Sequence, residues 1–130
     1  MMVEVEPQRI LVVEDDNRIA SLLQRQLKAA GFEVQTTGRG SEALTTVETR
    51  RPDLIILDLR LPDISGYELC WTLRRLYDYA TLPIVILTGV EQCTDDLRRE
   101  AVGANAYLRK PYDPAGLVQT LRRLLPSAHS

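Results

Sequence analysis

The sequence predicts a doubly wound α/β domain. It is a single (βα)5 unit with a five-stranded parallel sheet and helices on both faces. Three observations predict it. Short apolar runs alternate with stretches of helical periodicity along the whole chain, which argues for parallel β/α units. The runs are nearly continuous in apolar residues, as strands covered on both faces are. Right-handed crossovers between parallel strands then favour double winding.

Residues 1–8 form an irregular lead-in closed by Pro7. Strand one is Ile10–Glu14. Helix one carries Ile19, Leu22, Leu23, Leu27 and Ala30 on one face, with Gly31 just past its end. Strand two lies near Phe32–Thr37. Ser41 is placed to cap a second helix bearing Ala43, Leu44 and Val47. Strand three is Leu54–Leu57. A loop containing Pro62 and Gly66 leads to helix three, with Leu69, Cys70, Leu73 and Leu76. Strand four is Ile84–Leu87. Helix four falls within Asp95–Val102 and is stopped by Gly103. Strand five is Ala106–Leu108, and helix five presents Leu117, Val118, Leu121, Leu124 and Leu125. Residues 1–130 read as one domain with a core over 9–125, leaving 1–8 and 126–130 as irregular ends.

At 130 residues the chain suits one domain and is too short for two ordinary ones. Folding at this size buries roughly 68% of the chain's surface, enough for a core without staples. The net charge is −2 with acids and bases interspersed, so direct nucleic-acid binding has little support. Cys70 and Cys93 form no C-x-x-C pair, and with no signal peptide a reducing cytoplasm is the expected location. The apolar runs fall far short of the ~20 residues a membrane helix requires. The one histidine, His129, stands at the end of the chain, which argues against a histidine triad, cage or phosphocarrier within it.

Four of the strands run into a polar residue that one site could use. RILVVEDD (Arg9–Asp16) ends in Asp15 and Asp16, LIILD (Leu54–Asp58) in a carboxylate, PIVILTG (Pro83–Gly89) in Thr88 and AYLRKP (Ala106–Pro111) in Lys110. In an open parallel sheet ligands sit beyond the carboxyl ends of the strands, so these side chains are expected to share one pocket. Asp15, Asp16 and Asp58 can supply the oxygens that Mg2+ prefers, and a cation would relieve their repulsion. Asp58, alone at its strand end, is the best placed nucleophile for forming an aspartyl phosphate. Lys110 and Thr88 would contact other phosphoryl oxygens, since such transfer depends on positioning and charge neutralisation. An acidic pair after a strand also reads as a helix cap, with Asp16 or Asn17 in that role.

The chain resembles the receiver domains of two-component response regulators, with a chemotaxis-regulator-like fold, and the resemblance implies the strand order 2-1-3-4-5. The resemblance runs from Arg9 to Leu125 and rests on VVEDD (Val12–Asp16), LDLRLPDISGYEL (Leu57–Leu69), LTG (Leu87–Gly89) and GANAYLRKP (Gly103–Pro111). It implies that Asp58 is the phosphoacceptor. It implies that Asp15, Asp16 and Asp58 bind Mg2+, with Mn2+ as a substitute, and that the Arg60 main-chain carbonyl adds a ligand while Glu14 stands outside the set. Thr88 matches the switch hydroxyl, Lys110 the phosphate-binding lysine and Tyr107 the rotating aromatic. Gly89 matches a small residue that leaves room for the donor. Arg60 occupies a variable position, and Asn105 and Ala106 stand where acids are common.

The implied function is a phosphorylation-activated switch, not a turnover enzyme. A sensor histidine kinase or histidine phosphotransfer protein would supply the phosphoryl group. The surface of helix four, strand five and helix five would shift to control a downstream protein target or a homodimer contact, with no direct binding of nucleic acid or membrane. The alternatives are a phosphorylation-independent interaction domain and the receiver of a longer regulator with a DNA-binding or enzymatic output domain. Residues Pro126–Ser130 would then begin a linker. A phosphatase of this fold would want a second carboxylate close after Asp58, where Leu59, Arg60 and Leu61 stand. A flavodoxin-like domain would want a phosphate loop after strand one, where Glu14, Asp15 and Asp16 stand.

Overall fold

The computed structural model describes residues 6–89 and 103–126. The expected fourth helix, within Asp95–Val102, lies outside the described residues. Five strands pair in parallel in the order β2-β1-β3-β4-β5, as predicted. They are β1 (Arg9–Val13), β2 (Glu33–Thr37), β3 (Leu54–Asp58), β4 (Ile84–Thr88) and β5 (Ala106–Arg109). The helices are α1 (Asn17–Ala29), α2 (Gly40–Thr49), α3 (Gly66–Leu76) and a C-terminal helix (Pro114–Leu124), the expected helix five.

The strands β1, β3 and β4 are apolar on both faces because each face has its own core. Alternate residues of β1 show the division: Leu11 and Val13 join Ile55, Leu57 and Ile86 under α2 and α3, while Ile10 and Val12 join Leu54, Ile56 and Leu87 under α1 and the C-terminal helix. The β2 edge is polar, with Glu33, Gln35 and Thr36 exposed, a composition that discourages further strand pairing.

The helix boundaries have local causes. Asp16 caps α1, its carboxylate accepting from the Arg18 and Ile19 amides; Ser65 caps α3 through the Glu68 amide; Asp113 caps the C-terminal helix, with Pro114 in its first turn. Gly31 ends α1 at φ 99° and Gly103 precedes β5 at φ 79°, a region that favours glycine.

Ser41 does not cap α2. The helix begins at Gly40 after Arg39, whose side chain makes no capping bond; the cap comes instead from Asp63, in the loop after β3. Leu22 and Leu76, expected on apolar faces, are exposed. Trp71 is 54% exposed, with the Arg75 guanidinium 4.9 Å from its ring centre.

Candidate functional site

The strand order places β1 beside β3, with Val13 opposite Leu57. The residues that follow, Glu14 and Asp58, therefore emerge side by side at the carboxyl edge of the sheet. Both are buried, at 4% and 6% exposure, despite their charge. Lys110 reaches over from the far side, directly after β5. Its Nζ lies 3.3 Å from Asp58 Oδ1 and 3.4 Å from Glu14 Oε1. Thr88 ends β4 between them, opposite Arg109 in the register.

The metal set read from the sequence is regrouped by one residue. Asp16 points its carboxylate at the first turn of α1. Its amide donates to Glu14 Oε2 at 3.2 Å. Glu14, expected outside the set, joins Asp15 and Asp58, and one carboxylate oxygen of each lies within 4.8 Å of the others. The physical reason is where the strand ends. β1 stops at Val13, so Glu14 is the first residue past the sheet edge and Asp16 falls at the start of a helix.

Glu14 and Asp58 share the Lys110 ammonium, with Asp15 beside them. Burial, and then repulsion from Asp58, push Glu14 up to about 7; the Asp16 amide and Lys110 pull the other way without cancelling the effect. Clustered hard oxygens that repel one another fit a dication such as Mg2+ or Mn2+, which relieves the repulsion that raises Glu14.

The loop between β3 and α3 closes on this site. The Gly66 amide donates to the Leu59 carbonyl at 2.9 Å. A Cβ at Gly66 would lie 2.6 Å from the Asp58 carbonyl oxygen and from Leu59 Cα, so only glycine lets the first turn of α3 approach the backbone of Asp58. Arg60 stands on the exposed side of this loop. Tyr107 sits half-buried in β5, packed against the core beneath α2 and α3. Asn105, at a position where acids are common among the receivers that the chain resembles, accepts from the Arg74 guanidinium and from the Ile84 amide, each at 3.0 Å. Beside Lys110 a groove is lined by Ile19, Leu22, Pro111, Tyr112 and Pro114. No helix among the described residues is long and apolar enough to cross a membrane.

A family model described as the response regulator receiver domain matches residues 10–122. The chain is 41% identical to the phosphate regulon transcriptional regulatory protein PhoB of Rhizobium meliloti, over 92% of this chain and 53% of that protein. It spans about half the length of the curated relatives it matches. Among solved structures, the receiver domain (CheY-like) from Methylobacillus flagellatus superposes with a TM-score of 0.80 at 32% identity, covering 91% of this chain and 98% of that one. The response regulator TrrA of Thermotoga maritima, solved in complex with Mg2+-BeF, superposes with a TM-score of 0.81 at 34% identity, covering 91% and 99%.

Proposed function

We propose that this chain, which belongs to the response regulator receiver domain family, is a switch set by phosphorylation of Asp58. The observation that carries this reading is the pairing of Asp58 with Lys110 at 3.3 Å beside the Glu14 and Asp15 carboxylates.

Asp58 is the nucleophile. One of its carboxylate oxygens bonds to the donor's phosphorus as the bond from phosphorus to the donor breaks, and that electron pair leaves with the donor. Lys110 contacts an Asp58 oxygen directly, so its ammonium is in place to accompany the phosphoryl oxygens as they arrive. Thr88, at the end of the intervening strand, supplies a hydroxyl to a further oxygen. Glu14, Asp15, Asp58 and the Arg60 carbonyl would hold Mg2+, which when bound supplies the positive charge that such transfer requires. Asp16 contributes as the cap of α1 and through its amide to Glu14.

The phosphodonor is a sensor histidine kinase or a histidine phosphotransfer protein. It approaches over the groove beside Lys110, where Leu22 is 43% exposed. The product is a change of surface, so the chain acts on its own aspartate and turns over no external substrate. PhoB, the curated relative described above, is a transcriptional regulatory protein of which the matched region spans 53%. In a protein of that plan the changed surface would control an attached DNA-binding region; without one, it would meet a separate protein target or a second copy.

Incubation with a small acyl phosphate and Mg2+ tests the reading. Intact mass should show one base-labile phosphate, lost in Asp58→Asn and with chelator. Labelling of Asp58→Asn at the wild-type rate would sink the assignment.

A further inference from the structure

We infer that Asp63 is a positioning residue for the metal site, bracing the loop after Asp58 against the first turn of α2. The inference rests on the reading of Glu14, Asp15 and Asp58 as a Mg2+ site. Its own basis is a set of contacts outside that pocket.

Both carboxylate oxygens of Asp63 are engaged. Oδ1 accepts from the Gly40 amide and Oδ2 from the Ser41 amide, each at 2.9 Å. These are two of the amides that a helix start leaves unpaired, and Arg39 at the cap position offers them nothing. The backbone amides hold the Asp63 carboxyl well below the usual carboxylate range, so it stays charged at neutral pH. Ile64, the next residue, sits against Gly40 where a Cβ would fall. The loop is thus fixed near its middle by α2 and at its far end by the Gly66–Leu59 bond.

The brace reaches both halves of the site. Arg60, whose carbonyl is the expected backbone ligand, lies between Asp58 and Asp63. On the other side, the turn leading into α2 lies against Asp15: a Cβ at Gly38 would stand 3.6 Å from Asp15 Cα. One turn therefore touches the segment bearing Asp15 and, through Asp63, the segment following Asp58. A loop carbonyl can serve as a ligand cheaply only if the loop is already ordered, since ordering it on binding costs backbone entropy. Groups that hold ligands in place without touching the metal are worth ten-fold or more in affinity.

The test compares Mg2+ affinity in the wild-type chain, Asp63→Ala, Asp63→Asn and a control, Asp53→Ala. Asp53 accepts from the Arg9 amide at 2.7 Å at the opposite end of the sheet, so its removal also costs a carboxylate–amide bond but leaves the site's brace intact. Calorimetry should show Asp63→Ala weakened about ten-fold, Asp63→Asn between it and the wild type, and Asp53→Ala unchanged. Mg2+ should shift the Gly40 and Ser41 amide resonances in the wild type and not in Asp63→Ala. A folded Asp63→Ala or Asp63→Asn with wild-type affinity would overturn the inference alone. A wild-type chain indifferent to Mg2+ would overturn the parent reading together with it.

Discussion

The three consecutive acids Glu14, Asp15 and Asp16 show how one residue of register decides chemistry. Their kind and their place near a strand end were legible in the sequence. Which two enter the pocket was not, because that depends on whether the last paired residue is Val13 or Glu14. The capping alternative for Asp16 was the available clue, and the structure realises it. Glu14 consequently carries the site's strain. Its folded pKa is raised from 4.5 to about 7, above its unfolded value. Its contribution to stability is therefore fully present below about pH 4.5 and is lost as the pH rises through 7. That loss is on the order of 3 kcal/mol for a shift of this size. Glu14→Gln should remove this slope in the metal-free protein, making it more stable than wild type at pH 7.5, and should weaken Mg2+ binding. Urea unfolding in chelator at pH 5 and pH 7.5 checks it; an equal pH difference in both proteins would contradict the assignment.

At the scale of elements, the loop after β3 and the first turn of α1 make the site usable. Gly66 owes its place to crowding, because a Cβ there meets the backbone of Asp58 and Leu59. Gly66→Ala should cost about 1–3 kcal/mol, the range for overpacking, and should slow phosphorylation by small donors because the displaced backbone is that of the nucleophile. Unchanged urea midpoints and rates would show that α3 can shift without Asp58. Leu22 makes the opposite prediction. It was read from its spacing as part of the apolar face of helix one, but its exposure and its place beside Lys110 suit a surface that a phosphodonor protein covers. Leu22→Ala should leave stability within about 0.5 kcal/mol, as exposed substitutions usually do. It should leave labelling by a small acyl phosphate intact and slow transfer from a phosphohistidine protein. Equal slowing with both donors would place Leu22 in the fold instead. Helix periodicity could not separate these roles, because position on a helix face does not say how far the sheet extends beneath it. The cap of α2 was illegible for a related reason: Asp63 reaches it across 23 residues of sequence.

At the scale of the molecule, the architecture was legible because β1, β3 and β4 carry the same mark, an apolar run covered on both faces, and four of the five strands run into a polar residue that the site can use. The sheet that results joins Asp58 to β4 and β5 by direct pairing, Asp58 opposite Leu87 and Thr88 opposite Arg109. A charge added at Asp58 is thus two strands from Tyr107. Taking a two-state protein from mostly one state to mostly the other needs about 5.5 kcal/mol of differential stabilisation. Hydrogen bonds to a charged group contribute roughly 1.5–3 kcal/mol each, so Lys110 and Thr88 together are of the required size and neither alone is. Removing one should leave phosphorylation possible and the shift incomplete. Thr88→Ala keeps the nucleophile, Lys110 and the metal ligands, so it should still bind a beryllofluoride mimic with Mg2+. In the wild type the mimic should move amide resonances along β5, around Tyr107, and into the C-terminal helix. In Thr88→Ala the changes should stay near Asp58, and the remote ones should shrink toward their unliganded positions. Remote shifts of wild-type size in that variant would mean that the response travels by a route other than the end of β4.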